Sequence, residues 1–516
     1  MDIITKTGEI WSENAIGAVI SLIKESDDSI EAERKLTHWL TEMNCQLIAM
    51  ALARIDTELY QIYKVQGWRV ARRDSRTICC RYGELTYTRR LLQKEGKSFY
   101  PLDCKMGFES RKHYSLGMIE RIVESVAITT SRSASELLQS LAGITISHQS
   151  VISLKNYAGK KAKAYEKAFV EEEEKDKKPV QPEIIAIEGD GIILKNKKKG
   201  EVSEVHRLQV YEGVRKNGNR TELVGLRCFA STSRKELFAM AASYLHGHYD
   251  LSKTTVLSNG DGGSGYQFQD FEQMVEGCLD HQHFRDCYHV HEKIRTRLSF
   301  CKRELVDRII RELHQTDDMM KRIPVWMDTA RSYARTKADL EEVDKLQSYL
   351  ERNAPYIPSL SQRGIHTEIH LGTAETNHRF YSYRMKRQGR SWSSEGMEYM
   401  VWVLTARKNK TLTQALLYHA NGKSYKKMDR AMHKAAVQAE PLMSSEKATT
   451  SSIGSVRTFT MAMLPSAVLA NGAPKVEKSS GAMRPSGAWV TPSGIPEITA
   501  TMMPMSSEPG TLREDL

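Results

Sequence analysis

The run "EIIAIEGDGIIL", Glu183–Leu194, decides the fold prediction because it places an acid in the middle of a strand-like apolar stretch. Isoleucines flank Asp190 on both sides, which is typical of a strand buried within a sheet. An ionised carboxylate is costly to remove from water without a partner, and a metal ion is one such partner. Gly189 and Gly191 leave room around Asp190, although "EGDG" also fits a turn at a strand end.

The segments that follow predict the remainder of a sheet. "EVHRLQVYEGVR" and "TELVGLRCFAS" are typical of two more strands, "SRKELFAMAASYLHGHY" of an amphipathic helix, and "KTTVLSNGDGGSGY" of a strand that ends in a glycine-rich loop. This β-β-β-α-β order is the opening of an RNase H-like fold, so we predict an α/β core with an RNase H-like mixed sheet. The first and fourth strands of such a sheet are neighbours, which would bring Asp190 and Asp261 side by side.

A third acid is needed for a site that holds two cations. Two-metal sites bind ions about 3.5–4 Å apart through converging ligands, and Mg²⁺ or Mn²⁺ prefers oxygen ligands. Asp261 alone, in "NGDGG", is more typical of a turn, but the two acids in this element order favour the metal site. Glu375 in "GTAETNH" is the predicted third acid, with Thr373 as the helix cap. Glu395 and Glu398 are alternatives, and a solvated surface glutamate is the default for all three.

The N-terminal part is predicted to be helical, with one basic hairpin. In "RTICCRYGELTYTRRLL" two β-prone runs flank Gly83, and a structural sheet and a DNA contact are equally supported. "SASELLQSLAGITISHQSVISLKNYAGKKAKAY" predicts a helix, a break at Gly143 and a second helix. That layout fits either a DNA-binding helix-turn-helix or an ordinary helical hairpin. In the first case the DNA-contacting residues would be Ser147, which also caps the helix, His148, Gln149, Ser150 and Lys155.

Changes in composition predict seven segments. Charged or proline-containing runs mark the boundaries, and eight of the 14 prolines fall after Glu440, which predicts a disordered tail. The segments are an N-terminal helical arm suited to oligomerisation (1–70), the hairpin and helix-turn-helix region (71–174), a linker (175–182), the first part of the core (183–291), an all-helical insertion (292–360), the last part of the core with the third acid (361–440) and the tail (441–516).

Composition limits the class of protein. The 516 residues carry 75 Lys and Arg against 64 Asp and Glu, and the net charge of +11 favours a polyanionic partner such as nucleic acid. Eight scattered cysteines indicate free thiols in a reducing compartment. No run reaches the roughly 18 consecutive apolar residues of a membrane helix. We therefore predict a soluble cytoplasmic protein with no membrane partner.

The stretch "CLDHQHFRDCYHVHEKI" contains several residues that can bind zinc. Their spacing fits no common structural zinc site, so a hydrogen-bonded polar cluster is the favoured interpretation. The residues are Cys278, His281, His283, Cys287, His289 and His291.

Taken jointly, four motifs resemble those of a bacterial insertion-sequence transposase of the ISLre-two type, a DDE enzyme. They are "IEGDGI", "SNGDGG", "DCYH" followed by a helical pattern, and "GTAETNHRFYSYRMKRQGRSWSSEGM". The resemblance covers roughly residues 76–407 and does not extend to the tail. It implies that Asp190, Asp261 and Glu375 are the catalytic acids and bind two Mg²⁺ or Mn²⁺ ions.

The resemblance also implies partners and supporting residues. "DCYH" is similar to the C/D(2)H signature of Mutator-like transposases, in which Asp286 and His289 would support the site or nearby DNA. The basic segment after the third acid would contact phosphate or a base through Arg384, Lys386, Arg390 and Trp392.

The implied activity is hydrolysis at the terminal inverted repeats of double-stranded DNA, followed by attack of the freed 3′-hydroxyl on target DNA. A homo-oligomer is expected because two ends must be joined. Two alternatives remain: a DNA-binding regulator without catalysis, and an RNase H-like nuclease that cuts without joining.

Overall fold

The computed structural model describes residues 3–170, 178–197, 201–218, 220–263, 265–316, 318–387 and 390–418. The predicted tail (441–516) and most of the charged run before Lys178 lie outside these residues. The described part combines helices with a mixed sheet, so the predicted α/β class is confirmed. In the described residues no helix has both the length and the apolar character that a membrane span requires. None of the eight cysteines, all of which lie in the described residues, forms a disulfide bond, as expected.

The first elements form a long helical hairpin and a three-stranded sheet. Their bounds are α1 (Ile3–Lys24), α2 (Ser29–Val65), β1 (Arg69–Cys80), β2 (Gly83–Lys94), β3 (Lys97–Phe99) and α3 (Pro101–Met106). β1 and β2 are antiparallel, and Cys80 pairs with Gly83 across the turn. Gly83 has a φ of 119°, and a Cβ there would lie 2.7 Å from the Thr41 side chain of α2. A glycine is therefore required where α2 packs over this hairpin.

Three further helices precede the main sheet: α4 (Leu116–Ile128), α5 (Ser131–Ala142) and α6 (His148–Ala168). Gly143, with a φ of 61°, ends α5, and the Ser147 hydroxyl accepts the Ser150 N–H at 3.1 Å. The two predicted helices, the break between them and the Ser147 cap are confirmed.

The main sheet has five strands and follows directly. The elements are β4 (Ile184–Lys195), β5 (Val202–Tyr211), β6 (Gly213–Asn217), β7 (Arg220–Val224), β8 (Arg227–Ser231), α7 (Arg234–His248), β9 (Thr255–Gly260), α8 (Phe268–Met274) and β10 (Asp280–Arg285). The strand order is β10-β9-β4-β5-β8. β4, β9 and β10 are mutually parallel, whereas β5 is antiparallel to β4 and β8.

The second and third predicted strands are each divided in the structure. "EVHRLQVYEGVR" contains β5 and the start of β6, and "TELVGLRCFAS" contains β7 and β8. Within the described residues, β6 and β7 form a separate two-stranded hairpin. Gly225 separates β7 from β8 with a φ of 65°, a conformation that a strand cannot continue through.

The rest of the described chain is helical. Its elements are α9 (Cys287–Arg297), α10 (Arg303–Leu313), α11 (Met319–Arg331), α12 (Lys337–Asn353), α13 (Thr373–Met385), α14 (Ser394–Lys408) and α15 (Leu412–Leu417). α9 to α12 enclose a core of their own that includes Ile294, Ile309 and Leu346. This helical insertion therefore starts at the end of β10, where it can support the edge of the sheet.

One large core joins α4, α5 and α6 to the sheet and to α14. It includes Val126, Val151, Ile192 and Val403. The boundary predicted at residue 174 therefore does not separate two hydrophobic cores. The sequence gives no sign of this packing, because it depends on a contact between α6 and α14, which are far apart along the chain.

Candidate active site

The register of three parallel strands aligns three acids in one row across the sheet, at the carboxyl ends of β9 and β10. Gly189 of β4 pairs with Gly260 of β9, and Gly260 pairs with Arg285 of β10. The next residues along these strands are Asp190, Asp261 and Asp286. Asp286 donates its backbone N–H to the Gly260 carbonyl at 3.0 Å, so the alignment continues one residue past the end of β9.

Asp190 is a buried acid with two close contacts. Its Oδ1 accepts the Gly191 N–H at 2.7 Å. Its Oδ2 lies 2.6 Å from Nδ1 of His378 in α13. Burial raises the pKa of Asp190, but the combined lowering by His378, Arg207 and the Gly191 N–H is larger, so the pKa lies below its ordinary value. The carboxylate is thus ionised and only partly saturated.

A buried arginine lies next to Asp190 on the neighbouring strand. Arg207 of β5 is the register partner of Asp190, and its guanidinium lies 4.5 Å from the Tyr381 ring of α13. One of its nitrogens, Nη1, is buried without a hydrogen-bond partner in the described part of the chain. Arg207 therefore supplies positive charge next to the acid without neutralising it through a direct ion pair.

Asp261 and Asp286 both begin loops or helices. Asp261 is half-buried and accepts the Gly263 N–H through Oδ1 at 2.7 Å. Asp286 is buried and caps α9, where it accepts the Tyr288 N–H at 2.8 Å. Burial raises the pKa of Asp286 above its ordinary value, against the lowering effect of His289. His289 itself lies 3.4 Å from Glu292, one turn into the same helix.

Glu188, which the sequence interpretation left without a role, fixes the position of α13. It is 1% exposed, and it accepts seven hydrogen bonds. Four of the donors lie at the start of α13, in Gly372, Thr373 and Ala374. A carboxylate is well placed at a helix N-terminus because unpaired N–H groups and the helix dipole converge there.

The helix cap differs from the prediction. Gly372, with a φ of 90°, is the N-cap residue of α13, and Thr373 is the first residue of the helix. The Thr373 hydroxyl donates to Glu188 instead of capping its own helix. Alternation along β4 offered a signal for Glu188, because residues two apart share one face of a strand.

The three candidates for the third acid occupy two helices. Glu375 lies in α13, three residues before His378, but its side chain is outside what the structure describes. Glu398 of α14 pairs with Lys163 of α6 at 2.6 Å, and Glu395 is exposed in the first turn of α14. Residues three apart lie on the same face of a helix, so position 375 shares the face of α13 that His378 turns towards Asp190.

The residues predicted to contact DNA divide into exposed and buried groups. Ser147, His148 and Gln149 are exposed at the start of α6, and Ser150 is half-buried. Lys155 is buried and donates to the Gly396 carbonyl at 2.9 Å. The first group is accessible to a partner; the Lys155 ammonium, contrary to expectation, serves a contact between α6 and α14.

The basic segment after α13 is also largely engaged within the protein. Arg384 is buried and donates to the Val126 carbonyl at 2.7 Å. Trp392 donates to the Met385 carbonyl at 2.8 Å, and Arg390 donates to the Arg384 carbonyl. Only Lys386 of the four predicted contacts is exposed. In this conformation the others hold α13 against α4 and the following turn.

Two residues of the histidine and cysteine stretch share one hydrogen-bond partner. His281 and His283 both contact the Ser258 hydroxyl, at 2.7 and 2.8 Å, and Phe268 stacks on His281. Among the side chains that the structure describes, no three from His, Cys, Asp and Glu converge closely enough to hold a metal ion.

The oxygen donors at the sheet edge nevertheless suit a hard cation. A carboxylate offers about four lone-pair sites; Asp190 has two close contacts and Asp261 has one. Mg²⁺ and Mn²⁺ prefer such ligands. For a cation to bind Oδ2 of Asp190, His378 must move aside.

Comparison with known proteins identifies the family. A family profile described as "Uncharacterised protein family (UPF0236)" matches residues 24–420. A protein of Streptococcus gallolyticus called "UPF0236 protein in vanSb 3'region" is 33% identical over 415 residues, which are 79% of this chain and 87% of the relative. The chain belongs to the uncharacterised protein family UPF0236.

Proposed function

We propose that this protein is a metal-dependent DNA transposase with an RNase H-like core, similar to DDE enzymes of the ISLre-two type. The observation that carries the proposal is the strand register, in which Asp190 and Asp261 directly follow the paired residues Gly189 and Gly260. The sheet supports the same proposal: β9 and β10 run parallel to β4 on one side, and on the other side β5 is antiparallel to β4 and β8 is antiparallel to β5, as expected for an RNase H-like sheet.

The surroundings of the acids suit phosphoryl transfer. Bound Mg²⁺ or Mn²⁺ would neutralise charge on the phosphoryl group and polarise it. Asp190 and Asp261 would hold the ions, with the side chain at position 375 as the third ligand. Arg207 adds positive charge beside Asp190, and Glu188 keeps α13 at a fixed height above β4. Such fixed positioning is a main source of catalysis in phosphoryl transfer.

DNA is the proposed partner, as the terminal inverted repeats and the target. The net charge of +11 supports a polyanionic ligand. The exposed start of α6, with Ser147, His148 and Gln149, is the part of the helix-turn-helix candidate that remains free to enter a groove. The buried remainder of α6 would act as its support.

A homo-oligomer is proposed because the N-terminal hairpin exposes apolar side chains. Ile16, Ile20 and Ile23 of α1 lie on one helix face and are 52%, 45% and 52% exposed. Leu47 and Met50 of α2 are 57% and 62% exposed. Exposed apolar side chains grouped on one face of a helix are typical of protein–protein contact sites.

The test incubates the purified protein with Mg²⁺ or Mn²⁺ and labelled DNA that carries the ends flanking its gene. Asp190→Asn and Asp261→Asn keep side-chain size but weaken metal binding, and we expect each to lower end cleavage by about 10³-fold, equivalent to several kcal/mol of barrier. Asp328→Asn is the matched control, because Asp328 is 76% exposed on the helical insertion. It should retain wild-type cleavage.

The same assay separates the alternatives. Cleavage without joining would identify an RNase H-like nuclease, and binding without cleavage, unchanged in Asp190→Asn, would identify a DNA-binding regulator. Parallel Glu375→Gln, Glu395→Gln and Glu398→Gln variants assign the third acid, and we expect only the first to lose activity. Equal cleavage by wild type and both aspartate variants would refute the proposed site.

A further inference from the structure

An open cavity of about 450 Å³ lies between α9 and α12 of the helical insertion. Lys293, Tyr349 and Arg352 are among the residues that line it. Two of them lie within the influence of the acids: burial lowers the pKa of Lys293 and the charge of Asp261 opposes this, while Asp261 and Asp286 both raise the pKa of Tyr349. The insertion thus contributes side chains to the surroundings of the acids.

The Tyr349 hydroxyl is a buried donor without an acceptor. Tyr349 is 5% exposed, and its Oη has no hydrogen-bond partner within the described residues. Burial, with the acids Asp261 and Asp286 acting in the same direction, raises the pKa of Tyr349 to about 12, against the effect of Arg285 and Arg352. The hydroxyl therefore keeps its proton at neutral pH. Buried hydroxyls are normally hydrogen-bonded, so this group is suited to a ligand with acceptor oxygens.

The cations beside Tyr349 have no carboxylate partner in the described structure, unlike those further along the cavity. Lys293 lies 4.4 Å from the Tyr349 ring, and neither Lys293 nor Arg352 forms an ion pair with a described acid. By contrast, Arg297 and Lys345, which also line the cavity, both bind Glu342, at 2.8 and 2.7 Å. Positive charge without a direct ion pair is thus concentrated beside Tyr349, whereas Asp344, the acid that also lines the cavity, pairs with Arg331.

A buried arginine adds to this positive charge. Arg285, the last residue of β10, is 2% exposed, and its Nε has no partner in the described residues. Its two hydrogen bonds are long, 3.5 Å to the Gly260 carbonyl and 3.4 Å to Gln267. The guanidinium also lies 5.7 Å from the Tyr356 ring, and its positive charge acts on both Asp261 and Tyr349.

We infer that Lys293, Tyr349 and Arg352 form a phosphate-binding site through which the helical insertion holds one backbone phosphate of the DNA strand beside the catalytic acids. The inference rests on the proposed function. Lys293 would act as a point charge, Arg352 as a planar pair of donors and Tyr349 as a neutral donor to a phosphate oxygen. Of the three, Tyr349 is a positioning residue and takes no part in proton transfer.

The experiment measures binding of the flanking-end duplex to the full-length protein by fluorescence anisotropy over a series of salt concentrations. The slope of log K against log salt is negative, and loss of one phosphate contact makes it less steep by about 1. We expect this decrease in Lys293→Met and in Arg352→Met, with about tenfold weaker binding. Lys321→Met is the control of equal charge, because Lys321 is 85% exposed on the same insertion. Slopes equal to that of the control would overturn the inference.

Tyr349→Phe separates a ligand contact from a structural one. Because the hydroxyl has no acceptor in the free protein, its removal should not lower the melting temperature. Binding of the duplex should nevertheless weaken about fivefold, as for the loss of one hydrogen bond. A lowered melting temperature with unchanged binding would show that the hydroxyl serves the fold and would overturn its proposed role.

Failure of the inference differs from failure of the proposed function. If wild type cleaves DNA and the variants bind as it does, only the inference fails. If wild type binds DNA with the expected slopes but never cleaves, only the function fails. If wild type does not bind DNA, a thermal-shift assay with inorganic pyrophosphate replaces the DNA-binding measurement. A shift of the melting temperature in wild type and Lys321→Met that is absent from Lys293→Met and Arg352→Met would support the phosphate site. Any other pattern would refute the phosphate site.

Discussion

Replacing Glu188 by glutamine is expected to destabilise the junction between β4 and α13 while preserving side-chain size. Glu188 is almost fully buried, and its acceptor oxygens face donors only. Oε1 accepts from Gln209, Tyr211 and both the N–H and the hydroxyl of Thr373. Oε2 accepts from Asn259 at 3.0 Å and from the N–H groups of Gly372 and Ala374 at 2.7 and 3.4 Å.

The magnitude follows from the donors that an amide nitrogen cannot satisfy. The amide is best placed with its nitrogen at the Oε2 position, where three donors would face it instead of four. Asn259 can turn its own amide and offer an oxygen, but the N–H groups of Gly372 and Ala374 cannot be reoriented. Each buried donor left unpaired costs about 1–3 kcal/mol, and the lost negative charge at the helix N-terminus adds about 0.3–1 kcal/mol. Because the 3.4 Å contact is weak, we expect a total of about 2–4 kcal/mol.

Urea unfolding of wild type and Glu188→Gln measures this free energy. Glu304→Gln is the control, because Glu304 is exposed in the first turn of α10, and its change should stay within about 0.5 kcal/mol. Hydrogen exchange should show faster exchange of the α13 amides in Glu188→Gln only. If Glu188→Gln lies within about 1 kcal/mol of the control and α13 exchanges as in wild type, the anchoring role assigned to this carboxylate is wrong.

Three other predictions concern packing, pH and assembly. A Cβ on Gly159 of α6 would lie 2.4 Å from the Tyr399 carbonyl oxygen, so Gly159→Ala should lower the unfolding free energy by about 1–3 kcal/mol. Gly17 has open space around it, so Gly17→Ala should not lower the unfolding free energy. Equal urea midpoints for the two variants would contradict this prediction. Burial, Arg285 and neighbouring groups lower the pKa of His283 to about 3. Between about pH 6.5 and 3, His283 is therefore protonated mainly in the unfolded chain. The free energy of unfolding falls as the pH falls, by about 2 kcal/mol at pH 5. His283→Asn should show a correspondingly shallower fall in urea unfolding between about pH 7.5 and 5, and an unchanged pH dependence would refute the assignment. Leu47→Lys should reduce the oligomer measured by analytical ultracentrifugation, and an unchanged assembly would exclude this part of the hairpin from the interface.

The sheet could be predicted from the sequence because its signals are local. The isoleucines around Asp190, the helix before β9 and the glycine-rich loop after it each lie within a short window. The division of two predicted strands by the β6–β7 hairpin was missed, since a run such as "EVHRLQVYEGVR" keeps its β-prone composition across the break at Glu212. Strand composition specifies that a segment is extended, but it does not specify which strand it pairs with.

The roles of several basic residues could not be predicted because they depend on contacts distant in sequence. Lys155 donates to a carbonyl 241 residues away, and Arg384 to one 258 residues away. Both belong to basic stretches that favour solvent exposure when they are considered alone. Their burial is decided by the packing of α6 against α14 and of α13 against α4.

Two acids two residues apart on β4 illustrate how the structure distinguishes a structural carboxylate from a candidate ligand. Glu188 accepts seven hydrogen bonds, more than its roughly four lone-pair sites can accept independently, so it has no capacity left for a cation. Asp190 accepts one hydrogen bond and has one further contact, with His378. His378 stands on α13, whose start is held by Glu188. The first acid thus fixes the helix that controls access to the second, and any movement that frees Oδ2 of Asp190 must come from the His378 side chain while the start of the helix stays in place.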